Sequence, residues 1–379
     1  MAIIRRPTRQ IRVGKVAVGG GAPISVQSMT NTDTRDIAAT VDQIRRLARA
    51  GCEIVRLAVP DQEAAAALPR IRGQVQVPLV ADIHFDYRLA LAALEAGVDG
   101  LRLNPGNIGG RERVKAVARE AAARKVPIRI GVNAGSLEKE AMAAHGGVTA
   151  AAMVASALKH IRLLEDIGFY DMKISLKAAT VPLMLDAYRH LAEEVNYPLH
   201  LGVTEAGLGL EGAIKSAVGI GILLNEGIGD TLRVSLTGDP VQEVVVGFAI
   251  LRSLGLRQRG IELISCPTCG RCRVDLEPVA ARVQEELQDI TVPLKVAVMG
   301  CAVNGPGEAR QADVGIAGGP GFGLLFRRGR PVRKVKEEDM ARALVDEVKR
   351  LAAETQGHKA VEEHGRELLE PYTEEDRNA

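Results

Sequence analysis

The sequence predicts an α/β protein, a (β/α)8 TIM barrel followed by a small α+β domain. From residue 24 to about residue 256, short apolar runs alternate with helix-length amphipathic segments about eight times. A span of about 230 residues is typical of one such barrel. The composition then changes near Gly260, where cysteines and Gly-Pro-Gly turns begin.

The strands of the barrel are predicted where short apolar runs lie between turn residues. In chain order they cover residues 24–29, 53–59, 78–85, 99–106, 127–135, 171–178, 198–205 and 231–238. Ala- and Leu-rich segments such as "DYRLALAALEAG" supply the helices between them. The preceding "TRQIRVGKVAVGGG" predicts a hairpin that closes the bottom of the barrel.

The second domain is predicted from a shorter set of segments. Residues 294–300 and 313–319 are expected to be strands, and residues 278–290 and 337–354 helices. We therefore divide the chain into a substrate-binding barrel at 1–260, a small domain at 261–355 and a charged tail at 356–379.

Composition excludes several classes of protein. An apolar content of 46%, a charged content of 25% and a formal charge of +2 are ordinary for a globular protein and argue against nucleic-acid binding driven by bulk charge. No secretory signal or membrane span is evident, so we expect a cytoplasmic protein without membrane contact. In that reducing compartment, clustered thiols indicate a metal or catalysis rather than disulfides.

Alternation along the strands predicts a charged barrel interior. The apolar faces should contact the helices, so the polar faces point inward. That lining would comprise Arg56, His84, Arg102, Asn104, Arg129, Asn133, Lys177 and Arg233, with Ser235 on the same face as Arg233. Buried charges cost several kcal/mol each, of that order, unless they are paired, so an anionic ligand such as a diphosphate is expected. The alternative is that these bases lie on solvated loops or pair with helix carboxylates, and Lys173, deeper in its strand, could be structural.

Two features at the end of the predicted seventh strand leave their roles open. Glu205 follows "HLGVT" and could be a general acid or base, or a salt-bridge partner. The following "GLGLEG" matches a dinucleotide-binding pattern, but the match is weak in a glycine-rich chain, and the repeated barrel pattern argues against it.

The cysteines indicate a metal site. Cys266, Cys269 and Cys272 are spaced as Cys-x₂-Cys-x₂-Cys, and Cys301 follows in "VMGCAVNGPGEA". This spacing favours a [4Fe–4S] cluster over zinc, because Cys₄ zinc sites usually present two pairs. Glu308 follows a Gly-Pro-Gly turn, and a carboxylate would be an exchangeable iron ligand. Cys52 is expected to be a small buried side chain.

Long ordered motifs then indicate a family. "LRLNPGNIG", "IRIGVNAGSL", "KISLKA", "LGVTEAG", "GIGDTLRVSL", "SCPTCGR" and "GCAVNGPGEA" together resemble the bacterial, two-domain 4-hydroxy-3-methylbut-2-enyl diphosphate synthases. The resemblance implies a TIM barrel joined to a small [4Fe–4S] domain, acting as an iron–sulfur oxidoreductase. It implies reductive ring opening of 2-C-methyl-D-erythritol 2,4-cyclodiphosphate to 4-hydroxy-3-methylbut-2-enyl diphosphate, in the non-mevalonate isoprenoid pathway. A flavodoxin- or ferredoxin-like donor would supply the electrons.

The resemblance also implies roles for individual residues. Its metal ligands fall on Cys266, Cys269, Cys301 and Glu308, and Glu205 takes the place of the acid near the reacting carbon. Its substrate-binding residues fall on Arg56, His84, Arg102, Arg129, Asn133, Lys177, Arg233 and Ser235. It further implies a head-to-tail homodimer whose active site is shared between chains.

Cys272 departs from the family pattern, which does not require a cysteine there. It could compete with Glu308 for the fourth iron or remain a nearby thiol. Two other functions stay open on the cysteines alone. One is an electron-transfer protein with all four clustered thiols bound, and the other is a zinc-stabilised barrel that binds a phosphorylated ligand.

Overall fold

The computed structural model describes residues 3–301, 303 and 305–367, with side chains as far as residue 356. The chain divides into two compact units, Met1–Arg257 and Gln258–Ala379.

The first unit is an eight-stranded parallel barrel, as predicted. A short hairpin, β1 (Ile11–Val13) and β2 (Val16–Val18), precedes it. The barrel strands are β3 (Ser25–Met29), β4 (Ile54–Ala58), β5 (Leu79–Asp82), β6 (Gly100–Leu103), β7 (Ile128–Asn133), β8 (Met172–Lys177), β9 (His200–Leu201) and β10 (Thr231–Leu232). Their order is β8-β7-β6-β5-β4-β3-β10-β9, and a parallel bridge between Ile174 and Leu199 joins the two ends. The last two strands are shorter than the sequence predicted.

Helices surround the barrel. They are α1 (Ile37–Ala50), α2 (Gln62–Arg72), α3 (Tyr87–Glu95), α4 (Arg111–Ala123), α5 (Lys139–Ala144), α6 (Ala150–Glu165), α7 (Val181–Glu194), α8 (Gly209–Asn225) and α9 (Pro240–Ser253). Helix α1 shows how the sequence sets their limits. The Asp36 side chain accepts a hydrogen bond from the Ala39 amide, and Gly51 ends the helix with a φ of 104°. Val41, Ile44 and Leu47 recur at helical spacing and are buried.

The hairpin closes the amino-terminal end of the barrel, which confirms the prediction from "TRQIRVGKVAVGGG". Ile11, Val13 and Val18 form a buried cluster with Ile54 of β4 and Val80 of β5. This cluster lies at the amino-terminal ends of β4 and β5.

The second unit is a five-stranded sheet. Its strands are β11 (Ile261–Ser265), β12 (Leu294–Met299), β13 (Val314–Gly319), β14 (Phe322–Arg327) and β15 (Arg330–Lys336), in that spatial order. Strands β11 to β13 are parallel, and β14 and β15 continue as antiparallel neighbours. The helices are α10 (Leu276–Glu286), α11 (Gly305–Gln311) and α12 (Met340–Glu367). The sequence did not predict β11, β14 or β15.

Helix α12 continues beyond the point where a charged tail was predicted. The predicted tail begins at residue 356, whereas the helix runs to Glu367. Residues 368–379 lie outside the described residues. Among the helices that the structure describes, none is both long and apolar enough to cross a membrane.

Candidate active site

One row of neighbouring positions concentrates charge inside the barrel. Strand register places Asp82 opposite Arg102, Arg102 opposite Arg129, and Arg129 opposite Lys173, across four adjacent strands. All four residues are buried. Three bases and one acid therefore share a single row in the barrel interior.

Asp82 is the carboxylate that pairs with this row. Its Oδ1 lies 3.2 Å from Nη1 of Arg102, and its Oδ2 lies 3.5 Å from Nε of Arg56. Burial alone would raise the pKa of Asp82, but the charge of Arg56, the hydrogen bond to His84 and the charge of Arg102 together lower it. Asp82 is therefore ionised and holds two of the predicted anion-binding side chains. The sequence analysis did not assign this role to Asp82.

Glu243 pairs with another predicted cation from outside the sheet. It lies on α9, is 2% exposed, and its two oxygens accept hydrogen bonds from Nε and Nη2 of Arg233 at 3.2 and 3.0 Å. It also accepts from the Ser28 hydroxyl at 2.7 Å and from the Leu236 amide at 3.2 Å. The sequence analysis missed Glu243, although a single acid in the apolar run "EVVVGFAIL" is a signal for a buried partner.

Two glycines leave room for long basic side chains. A Cβ atom on Gly131 would lie 2.7 Å from Nε of Arg102, and one on Gly202 would lie 2.8 Å from Nζ of Lys177. Strand alternation directs both glycines inward, so the guanidinium and the ammonium fold across the space that their missing side chains provide.

The interior contains more positive than negative charge. Among the described residues, six bases face the two carboxylates Asp82 and Glu243, namely Arg56, Arg102, Arg129, Lys173, Lys177 and Arg233. Burial lowers the pKa of Arg56 to about 10, and it lowers the pKa of Arg129 and of Lys177 well below their ordinary values, with neighbouring cations adding to the effect in each case. These positive charges favour an anion in the barrel.

The deepest polar atoms lack partners within the described protein. Nε and Nη1 of Arg129, Nζ of Lys173 and Nε2 of His200 are buried without a hydrogen bond. Burial, reinforced by the charge of Arg129, lowers the pKa of Lys173 to about 7. A buried polar group without a partner costs roughly 1–3 kcal/mol, so these groups are prepared for a ligand or for water.

Other predicted site residues lie nearer the surface. The His84 side chain is 55% exposed, but its Nε2 is 3.1 Å from Nη1 of Arg102. Asn133 and Ser235 are half-buried, and Glu205 is exposed. Glu205 has a φ of 52°, a left-handed conformation that costs energy for a residue with a side chain. Lys125 and Arg328 share this conformation, so it does not by itself assign a role to Glu205.

A buried histidine fixes two loops beside this site. The Gly106 amide donates to Nδ1 of His160 at 3.2 Å, and Nε2 of His160 lies 2.9 Å from Oε1 of Glu138. Gly106 belongs to the loop after β6 and Glu138 to the loop after β7. Since Nδ1 accepts a hydrogen bond, the proton is on Nε2, which agrees with a pKa that burial lowers despite the Glu138 charge. His160 thus joins the loops that follow Asn104 and Asn133. It was missed because its role depends on contacts distant in sequence.

The predicted metal ligands originate at one end of the second sheet. Cys266 follows β11 and Cys301 follows β12, and these strands are parallel neighbours with Ser265 opposite Val298. The Gly300 amide donates to Sγ of Cys266 at 3.4 Å. Cys269 and Glu308 are exposed, whereas Cys301 is buried. Over the described ranges, no three Cys, His, Asp or Glu side chains are gathered closely enough to hold a metal ion. The three cysteines have the donor type that iron–sulfur clusters use, and Cys266 and Cys301 follow neighbouring strand ends, so these thiols fit such a group, whereas Glu308 lies in the first turn of α11.

Cys272 has contacts of a different kind. Its thiol donates to the Val274 carbonyl at 3.2 Å, and its sulfur lies directly over Gly300. Its side chain packs against the apolar cluster formed by α10, α12 and the sheet, as does that of Cys266. Cys52 is buried as predicted, in the turn before β4, and burial raises the pKa of its thiol to about 12.

A barrel with surplus cations at its centre, on a chain that also carries a thiol-rich domain, has the features of an enzyme that binds an anionic substrate and has a second, cysteine-bearing unit. Comparison with known proteins identifies which one. The GcpE TIM-barrel domain matches residues 8–248, and the GcpE protein C-terminal domain matches residues 262–350. The chain belongs to the GcpE family.

Its relatives share one name, 4-hydroxy-3-methylbut-2-en-1-yl diphosphate synthase (flavodoxin). The protein of Geobacter sulfurreducens is 65% identical over 351 residues, which cover 93% of this chain and 99% of the relative. That of Symbiobacterium thermophilum is 59% identical over 352 residues, with 93% and 95% covered. Among solved structures, the Yersinia pestis dihydropteroate synthase has a TM-score of 0.47 and 13% identity, over 65% of this chain and 99% of that one. That likeness is too slight to bear on function.

Proposed function

We propose that this chain catalyses the reductive ring opening of 2-C-methyl-D-erythritol 2,4-cyclodiphosphate to 4-hydroxy-3-methylbut-2-enyl diphosphate, in the non-mevalonate isoprenoid pathway. Membership of the GcpE family and the name of its relatives support this reaction. The overall change takes up two electrons and one proton, opens the ring at a C–O bond to phosphate and releases one water.

The observation that carries the proposal is the surplus of buried positive charge in the barrel. Arg129 is 2% exposed, and two of its guanidinium nitrogens have no partner in the described protein. A cyclic diphosphate carries two negative charges in a compact ring, so it can offset several of these cations at once. We propose that Arg56, Arg102, Arg129, Lys177 and Arg233 bind the diphosphate. His84, Asn133 and Ser235, nearer the rim, would orient the carbon part.

Glu205 is proposed to move a proton at the barrel rim. It is exposed and held in a left-handed backbone conformation, and Nζ of Lys215 donates to its carbonyl oxygen at 3.3 Å. A carboxyl group placed at the mouth of a cationic pocket can, when protonated, deliver its proton to a hydroxyl that leaves as water, and it becomes a carboxylate in that step.

We propose that Cys266, Cys269, Cys301 and Glu308 hold a [4Fe–4S] cluster. Such a cluster supplies the two electrons one at a time when it is bound. The thiol–carbonyl contact of Cys272 supports leaving that cysteine out of the ligand set. The need for reduced thiols also fits a cytoplasmic enzyme.

Two partners complete the proposal. The flavodoxin in the name of the relatives supports a flavodoxin-type electron donor. A head-to-tail homodimer would let one chain's cluster domain serve the other chain's barrel, and closure between chains would exclude water from the reaction.

The proposed function is tested with anaerobically reconstituted protein. We expect the product to form from the cyclodiphosphate when reduced flavodoxin is supplied. Glu308→Ala should lose turnover while it keeps iron and the visible absorbance of a cluster. Substrate consumption without this product, or full activity of Glu308→Ala, would contradict the proposal.

A further inference from the structure

The two faces of the cluster-domain sheet are covered differently. Helices α10 and α12 pack on one face over Val296, Val298, Val314 and Ile316. On the other face, the short helix α11 packs on β12 and β13 and reaches only part of β14. The outer part of this second face therefore remains accessible in the described part of the chain.

That outer part is apolar and basic. Phe322 and Leu324 on β14 are half-buried, and the residues opposite them on β15, Lys336 and Lys334, are exposed. Nζ of Lys334 lies 3.5 Å from the centroid of the Phe322 ring, a cation–π contact. We call these four residues the basic face.

The basic face lies at the end of the sheet where the cysteines are found. Gly319, the last residue of β13, is opposite Phe322, so this end of β14 adjoins the carboxyl ends of the parallel strands. The Asp275 amide, at the end of the cysteine loop (residues 266–275), donates to Oε1 of Glu337 at 3.1 Å. Glu337 directly follows Lys336, so this bond ties the cysteine loop to the end of β15.

The charges of the neighbouring segments largely cancel one another, so the positive charge of this face is that of Lys334 and Lys336. Arg271 and Arg273 of the cysteine loop are exposed. Glu338 lies 3.4 Å from Nζ of Lys336, but the two side chains are 73% and 78% exposed, and exposed pairs of this kind contribute little. Asp275 and Glu277 are also exposed beside the loop. The face itself therefore presents two exposed lysines beside an apolar centre, and an apolar centre with a polar rim is the usual arrangement of a protein interface.

We infer that the basic face docks an acidic electron-carrier protein that delivers electrons to the thiol-bound group. This inference rests on the proposed function, which requires such a donor. A carrier must approach the surface nearest the thiols, and an acidic partner gains both encounter rate and orientation from a basic target.

Lysines on an edge strand can also simply prevent strand pairing between molecules. That role would explain the exposed charge on β15. Under this explanation the lysines have no effect on electron delivery. The two explanations therefore predict different kinetics when the charge is reversed.

The test compares Lys334→Glu and the double variant Lys334→Glu/Lys336→Glu with Lys349→Glu as the control. Lys349 is exposed on α12, which covers the opposite face of the same sheet. Turnover is measured against the concentration of reduced flavodoxin and, separately, with dithionite-reduced methyl viologen. Flavodoxin affinity for the reconstituted enzyme is measured directly by calorimetry.

We expect the double variant to raise both KM and Kd for flavodoxin by roughly tenfold at low ionic strength, with the difference shrinking as salt is added. Viologen-driven turnover and the Lys349→Glu control should match wild type. Unchanged flavodoxin Kd in the double variant, or an equal rise in Lys349→Glu, would overturn the inference. A parallel fall in viologen-driven turnover would overturn it too, because the basic face would then support the active site instead. Wild-type protein that is inactive with both reductants, yet binds flavodoxin through the basic face, would contradict the proposed function and leave the docking inference supported.

Discussion

The sulfur of Cys272 occupies the space in which a side chain on Gly300 would lie. The same region holds a bond between the Arg273 amide and the Gly300 carbonyl, 2.8 Å long. The thiol is therefore a packing partner of the residue that precedes Cys301, which explains a cysteine that the family pattern does not require.

This contact predicts a suppressor pair. Gly300→Ala should lower the free energy of unfolding by about 1–3 kcal/mol, because its new methyl group overlaps the Cys272 sulfur. Cys272→Ala should keep the cluster absorbance and activity, and the double variant should recover most of the lost stability, since the nearest atoms are then the Cβ of residue 272 and Cδ2 of Leu276, both at 3.5 Å. Urea unfolding and anaerobic absorption spectra of the three variants measure both effects. Loss of the cluster in Cys272→Ala would show that this thiol is a ligand.

Replacing Arg129 should increase the stability of the ligand-free protein and abolish substrate binding. Arg129→Met should raise the free energy of unfolding of the ligand-free protein by about 1–4 kcal/mol, because it removes a buried charge without a full set of partners. The same change should abolish calorimetric binding of the cyclodiphosphate. Arg124→Met, which removes an exposed partner of Glu120, should alter neither property appreciably. A destabilised Arg129→Met that still binds substrate would contradict the proposed role.

Lys173 predicts a dependence of stability on pH. Burial lowers its folded pKa from 10.5 to about 7, so between these values the unfolded chain binds a proton that the folded chain does not. The free energy of unfolding should therefore rise with pH across this window, by up to about 1.4 kcal/mol per pH unit from this one group. Lys173→Met should lack that contribution. Urea unfolding of both proteins from pH 7 to pH 10 measures it, and parallel curves would refute a buried, deprotonating Lys173.

Replacing His160 should weaken substrate affinity, although this residue does not face the pocket. His160→Leu breaks both the Gly106 and the Glu138 contacts, and we expect a roughly tenfold to hundredfold loss in kcat/KM, mainly through KM, as the loops after Asn104 and Asn133 shift. His160→Gln, which can still accept from Gly106, should recover part of it. Tyr197→Phe removes a comparable 2.7 Å bond to Glu165 away from these loops and should leave KM unchanged.

The same histidine should affect stability at acidic pH. Its folded pKa lies below the ordinary 6.5, with burial as the main cause, so the unfolded chain gains a proton first as the pH falls. The free energy of unfolding should therefore decrease below about pH 6.5, and this decrease should be smaller in His160→Leu. An identical decrease in the free energy of unfolding at acidic pH in the two proteins would contradict a buried neutral His160.

Strand periodicity was sufficient to predict the barrel and most of its charged lining. Arg102, Arg129 and Lys177 point inward because every second side chain on a strand does, and this rule needs no knowledge of the rest of the fold. Glu243 could not be placed in the same way, since its partner Arg233 is reached from a helix face and not from the sheet. Strands β14 and β15 were also missed, because β15 is rich in basic residues and interrupted by Pro331, and because the pairing of both strands depends on the neighbouring β13.

The β1–β2 hairpin leaves the barrel open at one end only. Ile11 and Val13 fill the amino-terminal end of the barrel, so substrate and product enter and leave at the carboxyl-terminal end of the strands. The product keeps the diphosphate that the cations are proposed to bind, and it would leave by the route through which the substrate arrived. Substrate could then bind only after the product has left. Accumulating product should therefore compete with substrate, and the reaction would be subject to product inhibition.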